Sequence, residues 1–139
     1  MKKVILFFIS INILFFISCD FADYKLGMSN KSGVIIVVET FYYKNNISQG
    51  IPCTSNLIEA NSTGTLALLN RKWDLYFNNF EKNSYLEVTI VETSRNEYDP
   101  NSHIQKYLDA KISNKEYIRY NLNINQLDSL NWQLKYPNE

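Results

Sequence analysis

The chain has 139 residues, 14 acidic against 14 basic, with 45% hydrophobic and 14% aromatic content, so it reads as one globular domain rather than a disordered tail. Four glycines and three prolines exclude collagen-like and linker-like classes. A formal charge of zero gives no electrostatic reason for binding DNA, RNA or an anionic membrane surface, and no nucleic acid partner is expected.

The N-terminus reads Met1-Lys2-Lys3 and then runs apolar from Val4 to Ile17, broken by Ser10 and Asn12, before Ser18 and Cys19. A spanning helix needs roughly 20 apolar residues, and this run is shorter. A basic start, a short apolar stretch and a small residue before a potential cut give a secretory signal. Ile17-Ser18-Cys19 resembles the lipobox of bacterial lipoproteins, with Phe16 where leucine is usual. On that reading residues 1–18 are a lipoprotein signal peptide, and Cys19 is diacylated and becomes the mature N-terminus. Each buried methylene contributes about 0.8 kcal/mol, so two or three fatty chains tether a protein to a bilayer without spanning it. The mature chain of 121 residues carries 12 basic and 14 acidic side chains and is long enough for an independent core. With Cys19 lipidated, Cys53 has no partner for an intrachain disulfide; it is either a buried small apolar residue, the favoured reading, or a free thiol.

Residues 19–32 read as the lipidated N-terminus and a tether, closed by the turn signal Asn30-Lys31-Ser32-Gly33. A single β-rich domain is expected over 33–139. Val34 to Val38 is aliphatic throughout and continues through Glu39-Thr40-Phe41-Tyr42-Tyr43, which predicts a strand buried on both faces that becomes half-exposed. Lys44 to Ser62 reads as a long loop, either functional or hiding a short strand around Asn56 to Ala60. Gly64 to Leu69 and Trp73 to Phe77 predict a hairpin or bent strand pair around Asn70-Arg71-Lys72. Over Ser84 to Glu92 the alternation is clear: Leu86, Val88 and Ile90 are expected in the core, with Tyr85, Glu87, Thr89 and Val91 on the other face. Ile104, Tyr107 and Leu108 then share a helical face, predicting a helix over 101–110. Alternation returns from Glu116 to Leu122, setting Tyr117, Arg119 and Asn121 opposite Ile118, Tyr120 and Leu122. Asn123 or Asn125 caps a short helical turn carrying Leu127 and Leu130, and Asn131 to Tyr136 is a last strand ended by Pro137.

These elements predict a mainly β fold, an antiparallel β-sandwich of about six or seven strands with one short helix, the alternative being an α+β sheet with a helix across one face. Too few helices alternate with the strands for a parallel doubly wound sheet.

The C-terminal segment joins the helix with Ile104 and Tyr107, a strand reaching Tyr120, the turn Gln126-Leu127-Asp128-Ser129-Leu130 and the run Asn131-Trp132-x-Leu134-x-Tyr136-Pro137. It resembles a group of small uncharacterised Bacteroidetes lipoproteins that join a lipobox to a β-rich domain and close on a similar run. The resemblance covers about half of the mature chain and implies an origin and a lipid-anchored outer-membrane location rather than an activity. Surface-directed lipoproteins of that group often carry acidic residues just after the lipidated cysteine, and Asp20 and Asp23 are a diluted version of that signal. Cell surface and periplasmic face stay open.

Candidate chemistry is sparse. His103 is the single histidine and lies near the predicted helix start, more consistent with a solvent-facing residue than with a catalytic base. One histidine and one unmodified cysteine cannot supply a structural zinc site. Glu97, Asp99 and Asn101 alternate as in a calcium loop, without the glycine and bidentate glutamate of an EF-hand. No Gly-rich loop leads from a strand into a helix. Glu87, Glu92 and Asp74 are available for a carboxylate pair, but sequence spacing does not set their separation. No catalytic residue, metal or cofactor is therefore assigned. Among ten tyrosines, eight phenylalanines and two tryptophans, Trp73 and Trp132 are expected inside strands as core anchors, while Tyr42, Tyr43 and Tyr98 flank loops and are the candidate exposed rings for a protein or glycan partner.

The expectation is a lipid-anchored envelope protein at the outer membrane, a non-enzymatic binding or interaction domain with Cys19 as its lipidation site. One alternative is a small envelope hydrolase using His103 or a carboxylate pair. Another is a structural component that docks by strand addition at a sheet edge.

Overall fold

A computed structural model describes residues 22–50, 56–69, 72–73, 83–94, 97 and 104–137. The fold is mainly β, two main sheets sharing one core, with a two-stranded β1–β7 ladder beside them and short helices packed on or between them. In chain order the strands are β1 (Ala22–Asp23), β2 (Gly27–Asn30), β3 (Ile35–Lys44), β4 (Ile47–Ser48), β5 (Asn56–Ile58), β6 (Thr63–Thr65), β7 (Leu68–Leu69), β8 (Ser84–Thr93), β9 (Ile118–Leu122) and β10 (Gln133–Tyr136). The helices are α1 (Ile104–Ser113) and α2 (Ile124–Ser129).

The larger sheet has the order β4-β3-β8-β9, with β5 also on β3, and every ladder in it is antiparallel. Its axis is the ladder of β3 and β8, which runs from Ile35↔Thr93 to Lys44↔Ser84. Period-2 alternation sends Ile36, Val38, Leu86, Val88 and Ile90 into the core, as their spacing predicts. The opposite face is not a plain solvent face. Val37 and Val91 are covered there by Leu108 of α1 and by Tyr117, and Glu39, Thr89 and Glu87 are buried beside them. The helix thus lies across one end of the outer face, and its first residue is Ile104. Residues 101–103 and the side chains of Ile104 and Tyr107 lie outside the described residues.

The smaller sheet, β10-β2-β6, corrects the tether reading of residues 19–32. From Ala22 onward this segment is built into the domain: Leu26, Met28 and Asn30 are buried, and β2 pairs antiparallel with β6 and parallel with β10. The parallel ladder joins the two ends of the domain, a pairing that no local pattern signals. Leu26, Met28, Leu134 and Tyr136 close the core from this side.

The predicted hairpin around Asn70-Arg71-Lys72 falls largely outside the described residues, which leave out 70–71 and 74–77. β6 pairs with β2 and β7 with β1, while Asp23 Oδ2 accepts from the backbone N–H of Trp73 at 2.8 Å. The long loop after Lys44 contains β4 and β5. Asn45 and Asn46, at φ 50° and 62°, form the tight reversal between β3 and β4, a left-handed conformation that asparagine tolerates better than most residues.

The last third follows its sequence signals closely. Asn123 caps α2: its side chain accepts from Gln126 N, and Gln126 Oε1 accepts from Asn123 N, a reciprocal capping box. Leu127 is buried from α2. Trp73 and Trp132 are core anchors, 0% and 4% exposed, but neither lies in a strand as expected. Trp132 sits in the turn before β10 at φ 57°, where its backbone N–H donates to Leu127 O at 2.8 Å and its indole Nε1 donates to Asp128 Oδ1 at 2.8 Å. Lys25 Nζ lies 4.1 Å from the centre of its ring.

Candidate functional site

Of the aromatic residues singled out, Tyr42 faces inward on β3 and is 5% exposed, so its expected exposure is corrected: an even-numbered position on this strand belongs to the core face. Tyr43, on the outer face, is half-buried and stacks on Tyr85, its partner across the ladder, at 5.0 Å and 9°. Burial, followed by the nearby Glu87 carboxylate, raises its phenol above the usual tyrosine range. Tyr42 and Tyr43 therefore do not form one platform, because they point to opposite faces. Tyr98, Cys19, Cys53 and His103 lie outside the described residues.

The carboxylates are likewise separated. Glu87 and Glu92 project to opposite faces of β8, so they cannot act on one bond, and Asp74 lies outside the described residues. Glu87 shares the outer face with Glu39, a diagonal neighbour across the β3–β8 ladder that the sequence reading did not single out. With Glu39 at 1% and Glu87 at 7% exposure, neither carboxylate opens to solvent where a substrate would meet it. Arg119 Nε lies 3.4 Å from Glu87 Oε1 and donates to Thr89 Oγ1 at 3.4 Å, which ties β9 to β8 across this face. Among the described residues, no group of three or more His, Cys, Asp or Glu side chains is arranged to hold a metal ion.

The more open site lies between the sheets, along one side of the sandwich. On the opposite side β5 and β6 are in contact, and Gly64 of β6 approaches Ile58 so closely that an added Cβ would come within 3.0 Å of its side chain. Among the described residues, no ladder joins β9 and β10. Each is the outermost strand of its sheet on this side, and α2 connects the end of one to the start of the other. Among the described residues, the outer backbone edges of both strands carry no further ladder.

Two cavities lie along this side. The first, about 490 Å³, is bounded by Met28, Tyr120, Leu122, Leu130 and Leu134, with Asn131, Gln133 and Lys135 at its rim. The second, about 640 Å³, lies where β9 begins and β10 ends, against Ile90, Ile118 and Tyr136. Here β8 runs past the first rung of β9, which pairs Ile118 with Ile90, so Glu92 and Thr93 have β3 as neighbour but no β9 residue opposite. Tyr136 Oη donates to Glu92 Oε1 at 2.5 Å and bridges the two sheets at this end. Burial first, then that bond and the carboxylate's charge, push the Tyr136 phenol up to about 12. Glu97 and Glu116 border the same cavity with Lys111, whose Nζ lies 2.7 Å from Glu116 Oε2 and 3.8 Å from Glu97 Oε2.

Ile118 and Leu130 are large apolar residues that remain 41% and 44% exposed on this side. An open backbone edge beside apolar side chains is the arrangement that takes up an added strand, because main-chain hydrogen bonds give affinity and alternate side chains fill pockets. Sequence reasoning placed β9 and its faces correctly but had no signal that β9 and β10 would both be edges on one side.

No family model, no curated protein and no solved structure matches the chain.

Proposed function

We propose that this chain is a lipid-anchored envelope protein, tethered to the outer membrane through Cys19, whose β-rich domain is a non-enzymatic interaction module that takes up an extended segment of a partner protein. The observation that carries the docking half is the pair of strand edges, β9 and β10, which carry no further ladder among the described residues and flank one groove lined by apolar and polar side chains together. The anchoring half is supported by the N-terminal sequence, in which an apolar run after two lysines ends at Ile17-Ser18-Cys19. The groove favours a protein over a glycan, since it runs beside two strand edges and the stacked Tyr43 and Tyr85 lie on the other face of the sheet. An anchored module needs no strong affinity of its own, because confinement to a membrane raises the effective concentration of a partner held on the same surface.

Two measurements test the two halves. Fatty-acid labelling in growing cells should mark the wild-type protein and not Cys19→Ala; labelling of both would remove the anchor. Amide exchange of the full-length chain in detergent should slow in Ile118–Leu122 and Gln133–Tyr136 when an extended peptide with alternating apolar residues is added. Unchanged exchange in both strands at saturating peptide would contradict docking at this side.

A further inference from the structure

The two ends of the open side differ in chemistry. At the α2 end the groove holds the aliphatic side chains of Met28, Leu122, Leu130 and Leu134, with Tyr120, Asn131, Gln133 and Lys135 beside them and no carboxylate among its lining residues. At the far end, the described residues that border the cavity include three carboxylates, Glu92, Glu97 and Glu116, against the single ammonium of Lys111. Glu97 and Glu116 leave about half of their side chains exposed, 55% and 52%, whereas Lys111 is 21% exposed and drawn to both. Among the described residues that border this end, carboxylates outnumber ammonium groups.

Direction follows from the sheet. β9 runs from the acidic end at Ile118 to the aliphatic end at Leu122, and every ladder in its sheet is antiparallel. A segment added antiparallel to β9 enters at the aliphatic end and leaves at the acidic one. Its residues opposite Ile118, Tyr120 and Leu122 point into the groove, and those opposite Arg119 and Asn121 point outward. Resting on the docking reading above, we infer that the occupant is a segment of a partner protein with apolar residues at three alternate positions, followed on its C-terminal side by one or two lysines or arginines that meet Glu97 and Glu116.

The test uses the full-length chain in detergent and three fluorescent peptides. One has valines at alternate positions with threonines between and two C-terminal lysines; the second is the same peptide in reverse order; the third carries glutamines in place of the lysines. The expected result is that the forward peptide binds roughly three- to tenfold more tightly than either other peptide, as exposed ion pairs allow. That preference should shrink in high salt and disappear in the double variant Glu97→Gln, Glu116→Gln, while the glutamine peptide binds that variant as it binds wild type, which also shows that the variant is folded. Equal binding of all three peptides to wild type would overturn the cationic, directional occupant and leave the docking reading standing. Binding by none of them would overturn the docking reading and this inference together.

Discussion

Asn30 shows how one side chain holds several segments. It is fully buried at the end of β2; its Nδ2 donates to Val34 O at 2.7 Å, Glu59 O at 3.0 Å and Ile58 O at 3.3 Å, while its Oδ1 accepts from Ser32 N and Ser32 Oγ at 3.0 and 2.6 Å. The turn after β2, the start of β3 and the end of β5 all depend on a group that both donates and accepts. Asn30→Ala should cost about 1–3 kcal/mol in urea unfolding, since buried carbonyls lose their donor. Asn30→Asp should cost more, because a carboxylate aimed at carbonyls repels them; equal costs would show that the donor side is unimportant. Tyr136 gives a prediction in pH. Its phenol is raised to about 12, above the ordinary value of 10, by burial first and then by the bond to Glu92. The protonated form is the one the fold favours, so this contribution is fully present below about pH 10 and is lost as pH rises towards 12. An ultraviolet titration should show a late-ionising component that shrinks by one tyrosine in Tyr136→Phe, a variant destabilised by about 1 kcal/mol at neutral pH. A titration with no late component in wild type would contradict that environment.

At the scale of elements, α2 sets the separation of β9 and β10, and its capping box is its most exposed weak point. Asn123→Ala should lower stability by about 1 kcal/mol in thermal or urea unfolding, and a cost near zero would mean that Leu127 alone holds the helix. This cap was legible from the residues around Asn123, as were the core face of β8 and the short strand at Asn56. Each is a local pattern: a side-chain acceptor before a helical turn, at Asn123 or Asn125; strict alternation; and an apolar pair between turn residues, one of the two readings of the long loop. β2 was not legible, because Gly27-Met28-Ser29-Asn30 has little β-branched character and gains its place through partners distant in sequence. The reversal at Asn45 and Asn46 lacks the glycine that usually marks such a turn, so the sequence carries no hairpin signal for β4. Tyr42 and Tyr43 were judged by their nearness to that loop, whereas strand parity decides their burial.

Across the described residues the molecule is a sandwich closed on one side by β5 against β6 and open on the other between β9 and β10. The elements of the candidate site were readable one by one, but the site was not. Whether a strand becomes an edge is decided by which other strands pair, and here the small sheet is assembled from both ends of the domain. The account turns on use of that open side in the cell. The most direct measurement places a photo-crosslinking residue in the full-length protein in intact cells, at Ile118 on β9 or at Ile47 on β4, both exposed but on different edges. Discrete covalent adducts are expected from position 118, weakening when Leu130 in the groove is changed to aspartate, and few or none from position 47. Adducts from position 47 with none from 118, or equal yields indifferent to Leu130→Asp, would contradict use of that side.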